Sequence, residues 1–253
     1  MTLNPFRQAI CPDTPHTTDW YQGRSVYGGL VFAQLAHQLK KHSSLPLRRL
    51  SIDMCAPVMK GDIQIQITPA RVNANSHFFY VALIQSEKIA AHGTAVCGGA
   101  RRTDFDQQAI AAPESIPPAH PPLPYNKLMP AFTQFFEYWP TIGALPFSGA
   151  TNLLTGGWIR SRHDTIIDDE MILALIDAWW PCLILATTAP RPMGTISFSI
   201  DFAVTEPFEQ KEPCLIENMS QEISEGYSIE SNTLWSAQGK LLARAQQNVV
   251  LIR

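Results

Sequence analysis

Charge is scarce in this chain. Asp, Glu, Lys and Arg make up 16 % of its 253 residues and nearly cancel, leaving −3. That balance gives no footprint for nucleic acid or an anionic membrane surface. Paired cysteines are also missing: Cys11, Cys55, Cys97, Cys182 and Cys214 form no CxxC spacing. A zinc knuckle or redox dithiol is therefore excluded, and no metal site is expected. Each cysteine lies in or near an apolar stretch, so buried free thiols and a cytoplasmic location are expected. The N-terminus carries no charged segment followed by an apolar one, so no secretory signal is expected. The longest apolar run, Met171 to Ala186, is interrupted by Asp177 and Pro181 and falls short of a membrane span. There is no GxSxG elbow, Walker loop, GxGxxG after a strand, or HExxH pair. His37, His42, His77, His92, His120 and His163 are scattered and read as surface or turn residues.

Apolar material is ample. At 45 % hydrophobic, the chain can build one large domain or two of about 125 residues. The stretch from Asp168 to Pro181 stands out. Asp168-Asp169-Glu170 suits a helix start, where acidic side chains cap free amides and meet the positive end of the dipole. The helix then turns apolar on every side, as a helix does when protein surrounds it. Asp177 sits inside that run, and a lone carboxylate there loses hydration worth several kcal/mol unless paired, hydrogen-bonded or protonated. Pro181 has no N–H for the Asp177 carbonyl, so the helix should bend or end there. Two readings of Asp177 stand at this point: a cap for a neighbouring loop, or an acid handling protons in an apolar pocket.

The order of elements is informative. Residues 1–24 read as a lead-in strand and turn. Tyr27-Gly28-Gly29 opens a helix to about Lys41, and strands follow over 49–58, 63–68, 78–86 and 89–100. Six prolines between 113 and 124 make 103–150 a linker, whose aromatic end (Phe132, Phe135, Phe136, Tyr138, Trp139) should pack on a domain. The second half repeats the first: a strand at 157–162, the Asp177 helix, then strands over 195–204, 214–223, 227–235 and 241–252. Ser51-Ile52-Asp53 recurs as Ser199-Ile200-Asp201, and Lys88-Ile89-Ala90-Ala91 as Lys240-Leu241-Leu242-Ala243. A duplicated α+β unit is the economical explanation, with halves at 1–102 and 151–253.

Four stretches carry a likeness to a known family. They are Tyr27-Gly28-Gly29-Leu30-Val31-Phe32-Ala33-Gln34, Trp158-Ile159-Arg160, the Asp177 helix, and Gly239 to Gln247. Their order resembles the double-hotdog acyl-CoA thioesterases of the thioesterase II (TesB-like) group. The resemblance implies two tandem units, each an antiparallel sheet round a long helix. It implies hydrolysis of an acyl-CoA thioester by a water held between an Asp on the second helix, a hydroxyl on the next strand and a late Gln. These fall on Asp177, Ser197 and Gln247, with Ser199 and Gln246 as neighbouring alternatives. Asp177 would be the base, with attack by Asp177 itself the second choice. Gly28 and Gly29 would offer a backbone amide to the carbonyl, and the bulk of Trp179 would narrow the acyl pocket. No cofactor is implied beyond the CoA of the substrate, and association into a homo-oligomer is.

Aligning the halves sets Ala95 opposite Gln247, Arg49 opposite Ser197 and Gly29 opposite Asp177, so one site per chain is expected. Arg48, Arg49, Arg101, Arg102, Arg160 and Arg162 are available for the CoA phosphates. The rival readings are a non-catalytic acyl-CoA binding module and a hotdog enoyl-CoA hydratase, the latter wanting a His beside the Asp.

Overall fold

The computed structural model describes residues 4–252; residues 1–3 of the expected lead-in and the final residue lie outside them. The lead-in begins with a short helix, not a strand, and ends in the strand and turn expected of it. In α1 (Pro5–Ala9), the Asn4 side chain accepts from the Phe6 and Arg7 amides, and Pro5 takes the first turn, where its missing N–H costs nothing. Five residues are too few to show a periodicity. A small hairpin follows, β1 (Tyr21–Gln22) and β2 (Ser25–Val26), and leads into α2 (Gly28–Leu39).

The first half continues with β3 (Leu47–Met54), β4 (Gln64–Val72), β5 (Ser76–Gln85) and β6 (Lys88–Gly98). The second holds β7 (Phe136–Gly143), β8 (Leu154–Ser161), β9 (Ile166–Ile167), α3 (Asp169–Ala178), β10 (Met193–Phe202), β11 (Phe208–Glu209), β12 (Cys214–Ser224), β13 (Tyr227–Trp235) and β14 (Leu241–Leu251). One antiparallel sheet runs β4-β5-β6-β3-β10-β14-β13-β12-β8-β7. The duplication is visible in it: β4-β5-β6-β3 in one half is matched by β12-β13-β14-β10 in the other. The halves join where β3 meets β10, with Ser51 opposite Ser199, Leu50 opposite Ile200 and Ile52 opposite Phe198. The repeated Ser-Ile-Asp triplets thus flank an approximate two-fold axis, and the two serine hydroxyls meet across it at 2.9 Å.

Period-two alternation sends Leu50, Ile52, Phe198 and Ile200 into the core beneath the helices. Phe32 of α2 stacks on Phe198 with centroids 4.4 Å apart. The helices run antiparallel, because Lys40 beyond the end of α2 meets Asp169 at the start of α3, while Gly29 meets Asp177 at the far end. α3 begins as its acidic start suggests, with Asp168 accepting from the Met171 amide at 2.9 Å. It ends at Ala178, three residues before Pro181, with Trp179 already extended.

Arg7 ties α1 to that helix start, donating to Asp164, Asp168 and Glu170. Removing it leaves three largely buried carboxylates facing one another. Arg7→Ala is expected to cost about 3 kcal/mol, read as a lower midpoint in urea unfolding with an unchanged slope. Together with Lys40, Arg7 also neutralises the cluster of Asp168, Asp169 and Glu170, in which carboxylate oxygens lie within 4.8 Å of one another.

The Pro-rich segment crosses the outer face of the second half. Three indoles pin it: Trp139 donates to the His120 carbonyl, Trp158 to Ser115 Oγ and Trp235 to the Ile110 carbonyl. Its end is not linker but β7, an edge strand paired with β8. Pro140 fits there because an edge strand has one side without ladder bonds. The thiols divide as well. Cys97, Cys182 and Cys214 are buried, but Cys55 is exposed at a strand end and Cys11 is half-buried, so the expectation of five buried thiols is corrected. No described helix is long and apolar enough to cross a membrane.

Candidate active site

Asp177 lies where the end of α3 meets the start of α2. The Gly29 N–H, among the free amides of the first turn of α2, donates to its Oδ2 at 2.5 Å. Gly28 makes the approach possible, since a Cβ there would stand 2.9 Å from that oxygen. The glycines therefore hold the carboxylate itself. Asp177 is enclosed by protein yet keeps part of its surface accessible, and burial pushes its carboxyl up to about 7 against the opposing pull of the Gly29 amide. Two buried phenols anchor the helix turn that carries it: Tyr27 donates to the Ala174 carbonyl at 3.3 Å and Tyr138 to the Ala178 carbonyl at 3.2 Å. Burial and the nearby Asp177 charge hold both phenols well above their usual range, so they remain donors.

A substitution follows from this contact. An alanine methyl at position 28 would stand 2.9 Å from Asp177 Oδ2 and 3.2 Å from two ring carbons of Phe32, which is buried and stacked on Phe198. Gly28→Ala is expected to displace the Asp177 carboxylate and to cost about 1–3 kcal/mol, as overpacking a core does. Thermal melting and thioester turnover of the same preparation would separate the two effects.

The inward face of the second half's strands carries three more polar groups that bond one another. Gln247 of β14 is buried and points inward. Its Oε1 accepts from Thr195 Oγ1 at 3.2 Å, and its Nε2 donates to Glu230 Oε2 at 3.2 Å. Ser197 is not part of this group. A bulge between Thr195 and Ser197 adds a residue to β10, so the inward phase of Phe198 and Ile200 passes to Thr195 rather than to an even-numbered neighbour. Ser197 instead accepts from Asn248 at 3.3 Å, and with Ser199 and the exposed Gln246 it lines a groove on the face away from the helices.

Glu230 went unnoticed in the sequence. Pairing the last two strands about Gln238-Gly239-Lys240 would not have found it, because a register shift between Leu234 and Trp235 is what sets Glu230 opposite Gln247. The same inward face carries Thr155, which accepts from the indoles of Trp179 and Trp180. Trp179 is thereby fixed as a wall of the interior, tilted against Trp180 with centroids 4.5 Å apart. The cross-strand pair Asn218 and Asn232 is also buried there, with no hydrogen-bond partner for either carboxamide. Three histidines have specific partners: His16 is buried against Gln34, while His37 meets Glu170 and His77 meets Ser43. Among the described residues none is hydrogen-bonded to Asp177.

A carboxyl pushed up to about 7 and a hydroxyl–carboxamide pair on the inward face of β10 and β14 are groups able to take a proton and to orient a water. Family models match most of the chain. An acyl-CoA thioesterase N-terminal domain matches residues 16–98, and an acyl-CoA thioesterase C-terminal domain matches residues 111–251. The chain belongs to the acyl-CoA thioesterase family. No curated protein matches this family member by sequence. Solved structures share its fold. A hot dog fold protein of unknown function from Alicyclobacillus acidocaldarius is 21 % identical, with 98 % of each chain covered and a TM-score of 0.85. A putative thioesterase II from Thermobifida fusca YX is 18 % identical, covering 100 % of this chain and 99 % of its own, at 0.81. An acyl-CoA thioesterase II from Mycobacterium marinum is 15 % identical, with 98 % of each covered, at 0.72.

The two ends of the helix pair in this thioesterase-family chain are chemically unlike. Setting Ser51 on Ser199 places Leu47 at the position of Thr195, and the ladders place Ala95 at that of Gln247. The helices need a different offset, because residues 179–192 form a longer connection than residues 40–46. Aligned by their starts, Ala36 rather than Gly29 stands for Asp177. Ala36, Leu47 and Ala95 are all buried and apolar. A cavity of about 260 Å³ lies at that end, lined by Ala36, Leu47, Cys97 and Ile172 among others. Four of the arginines available for phosphate are committed elsewhere: Arg49 to Asp201, Arg160 and Arg162 to Glu137, and Arg48 to the Gly98 carbonyl. Arg101 and Arg102 are exposed.

Proposed function

We propose that this protein is a double hotdog that hydrolyses an acyl-CoA thioester to a free acid and CoA, in one site per chain, between the helix ends at Asp177. The observation that carries this is the Asp177 carboxylate pinned to the Gly29 amide between the two helix ends, where burial pushes its carboxyl up to about 7, in a chain built from both acyl-CoA thioesterase domains. In this reading Asp177 takes a proton from a water that Thr195 and Gln247 orient, and the water oxygen adds to the thioester carbonyl carbon. The second Nε2 hydrogen of Gln247 meets the developing oxyanion, the Gly29 amide being held by Asp177. Collapse breaks the C–S bond, and the proton held by Asp177 passes to the departing thiolate. The hydroxyl is assigned to Thr195 because it bonds Gln247, whereas Ser197 bonds Asn248. The first half, with Ala36, Leu47 and Ala95 at the matching positions, serves as scaffold and pocket wall.

The test is release of free thiol from a panel of acyl-CoAs differing in chain length. Turnover of at least one, saturable in substrate, is the expected result. Binding of acyl-CoAs with no thiol released from any would leave a binding module instead. A hydratase is disfavoured because Asp177 meets a backbone amide, and no described histidine bonds it.

A further inference from the structure

Glu230 is fully buried, at 0 % exposure, on the inward face of β13, and the hydrolytic steps above do not use it. Its carboxylate accepts from four donors. Oε2 takes the Cys182 amide at 2.9 Å and Gln247 Nε2 at 3.2 Å, while Oε1 takes the Leu183 amide at 2.9 Å and Ser228 Oγ at 2.8 Å. The two amides belong to the turn just beyond Pro181, directly after the helix that carries Asp177. One side chain thus holds both the glutamine of β14 and the exit of α3.

We infer that Glu230 is a positioning residue for the hydrolytic site, orienting the Gln247 carboxamide and fixing it relative to Asp177. The reasoning is one of donors and acceptors. An ionised carboxylate only accepts, so it selects the NH2 end of Gln247 and turns Oε1 toward Thr195. Thr195 is then the donor in its bond to Gln247, which leaves its oxygen lone pairs free to receive a hydrogen from water. The second Nε2 hydrogen of Gln247 is left to donate to the water oxygen or the oxyanion. With the amide reversed, two acceptors would face each other in a buried site, and Thr195 would be offered a donor. Neither packing nor chain connectivity alone sets that choice; the charge at position 230 does. Burial pushes this carboxyl up, and the four hydrogen bonds it accepts pull against that rise.

This inference rests on the thioesterase reading, and its test has an arm that does not. In 15N-labelled wild-type protein, the Gln247 side-chain NH2, assigned by its loss in Gln247→Leu, should show one proton shifted downfield by the Glu230 carboxylate and protected from exchange with water. In Glu230→Gln that downfield shift and protection should be lost. Both Gln247 protons at the shifts of a free side-chain amide, exchanging rapidly with water in the wild type, would overturn the orientation whatever the protein catalyses, and this arm stands even where the variant fails to fold. In the kinetic arm, folded Glu230→Gln should lose about 10- to 100-fold in kcat, as a misplaced reacting group does, with KM kept within about twofold. A kcat equal to wild type, or a loss confined to KM, would overturn the positioning role. Wild-type protein that hydrolyses no thioester would sink the reaction and leave the spectroscopic result to stand by itself.

Discussion

Asp177→Asn is expected to lower thioester hydrolysis about a thousandfold or more, on the scale of a lost general base, while making the protein harder to unfold above pH 7. The shape is nearly conserved, and an Asn oxygen can still accept from Gly29, so the loss of rate reports the loss of the base. The gain in stability follows from linkage. In the unfolded chain the carboxyl ionises near 3.8, but in the folded protein only near 7. Between those values the folded state binds more protons, so stability falls as pH rises, and the full deficit is present above 7. The difference, 7 − 3.8, corresponds to about 4 kcal/mol as an upper figure for a buried group. Urea unfolding at pH 8 should therefore favour the variant, with the advantage shrinking toward pH 4. A variant that is inactive but equally or less stable at pH 8 would mean that Asp177 is not held at a cost in the folded protein.

Thr195→Val and Ser197→Ala should part company. Removing the hydroxyl at 195 leaves Gln247 Oε1 without its donor and the water without one of its holders. A fall in kcat of about 100-fold is expected, comparable to losing one polar group from a preorganised site. Ser197 lies across the sheet beside Asn248, so Ser197→Ala should stay within about twofold of wild type. Parallel kinetics on a single acyl-CoA decide between them. The reverse ranking would place the site on the outer groove with Gln246 and Ser199.

How far the sequence reached is clear from these two strands. Long, strongly patterned segments were legible: α2, α3 and β3 to β6 all appear, with ends displaced by a few residues, because their apolar positions recur at one period. Asp177 stood out as the one carboxylate in the apolar run that follows the acidic start of α3. The Thr195 position was not, because a bulge inserts one residue and reverses which side chains face inward, and a period count has no way to register an insertion. Glu230 was hidden by its neighbours. In Ser228-Ile229-Glu230-Ser231-Asn232 the inward residues are the polar ones and Ile229 faces out, the reverse of the usual pattern. β7 was masked by the prolines before it, although Phe136, Tyr138 and Trp139 already signalled burial. The comparison of halves succeeded for the strands, where separate repeated motifs anchor β3 on β10 and β6 on β14, and failed for the helices, where the connection before β10 is longer.

The account depends most on a carboxylate that ionises near neutrality and must be ionised to act. The direct measurement is the pH dependence of kcat/KM for thioester hydrolysis by the wild-type protein, from pH 4.5 to 9. A rising limb of unit slope with its midpoint near 7, absent from the residual activity of Asp177→Asn, is the predicted result. A rate flat across that range, or a midpoint near the ordinary carboxylate value of about 4, would contradict it.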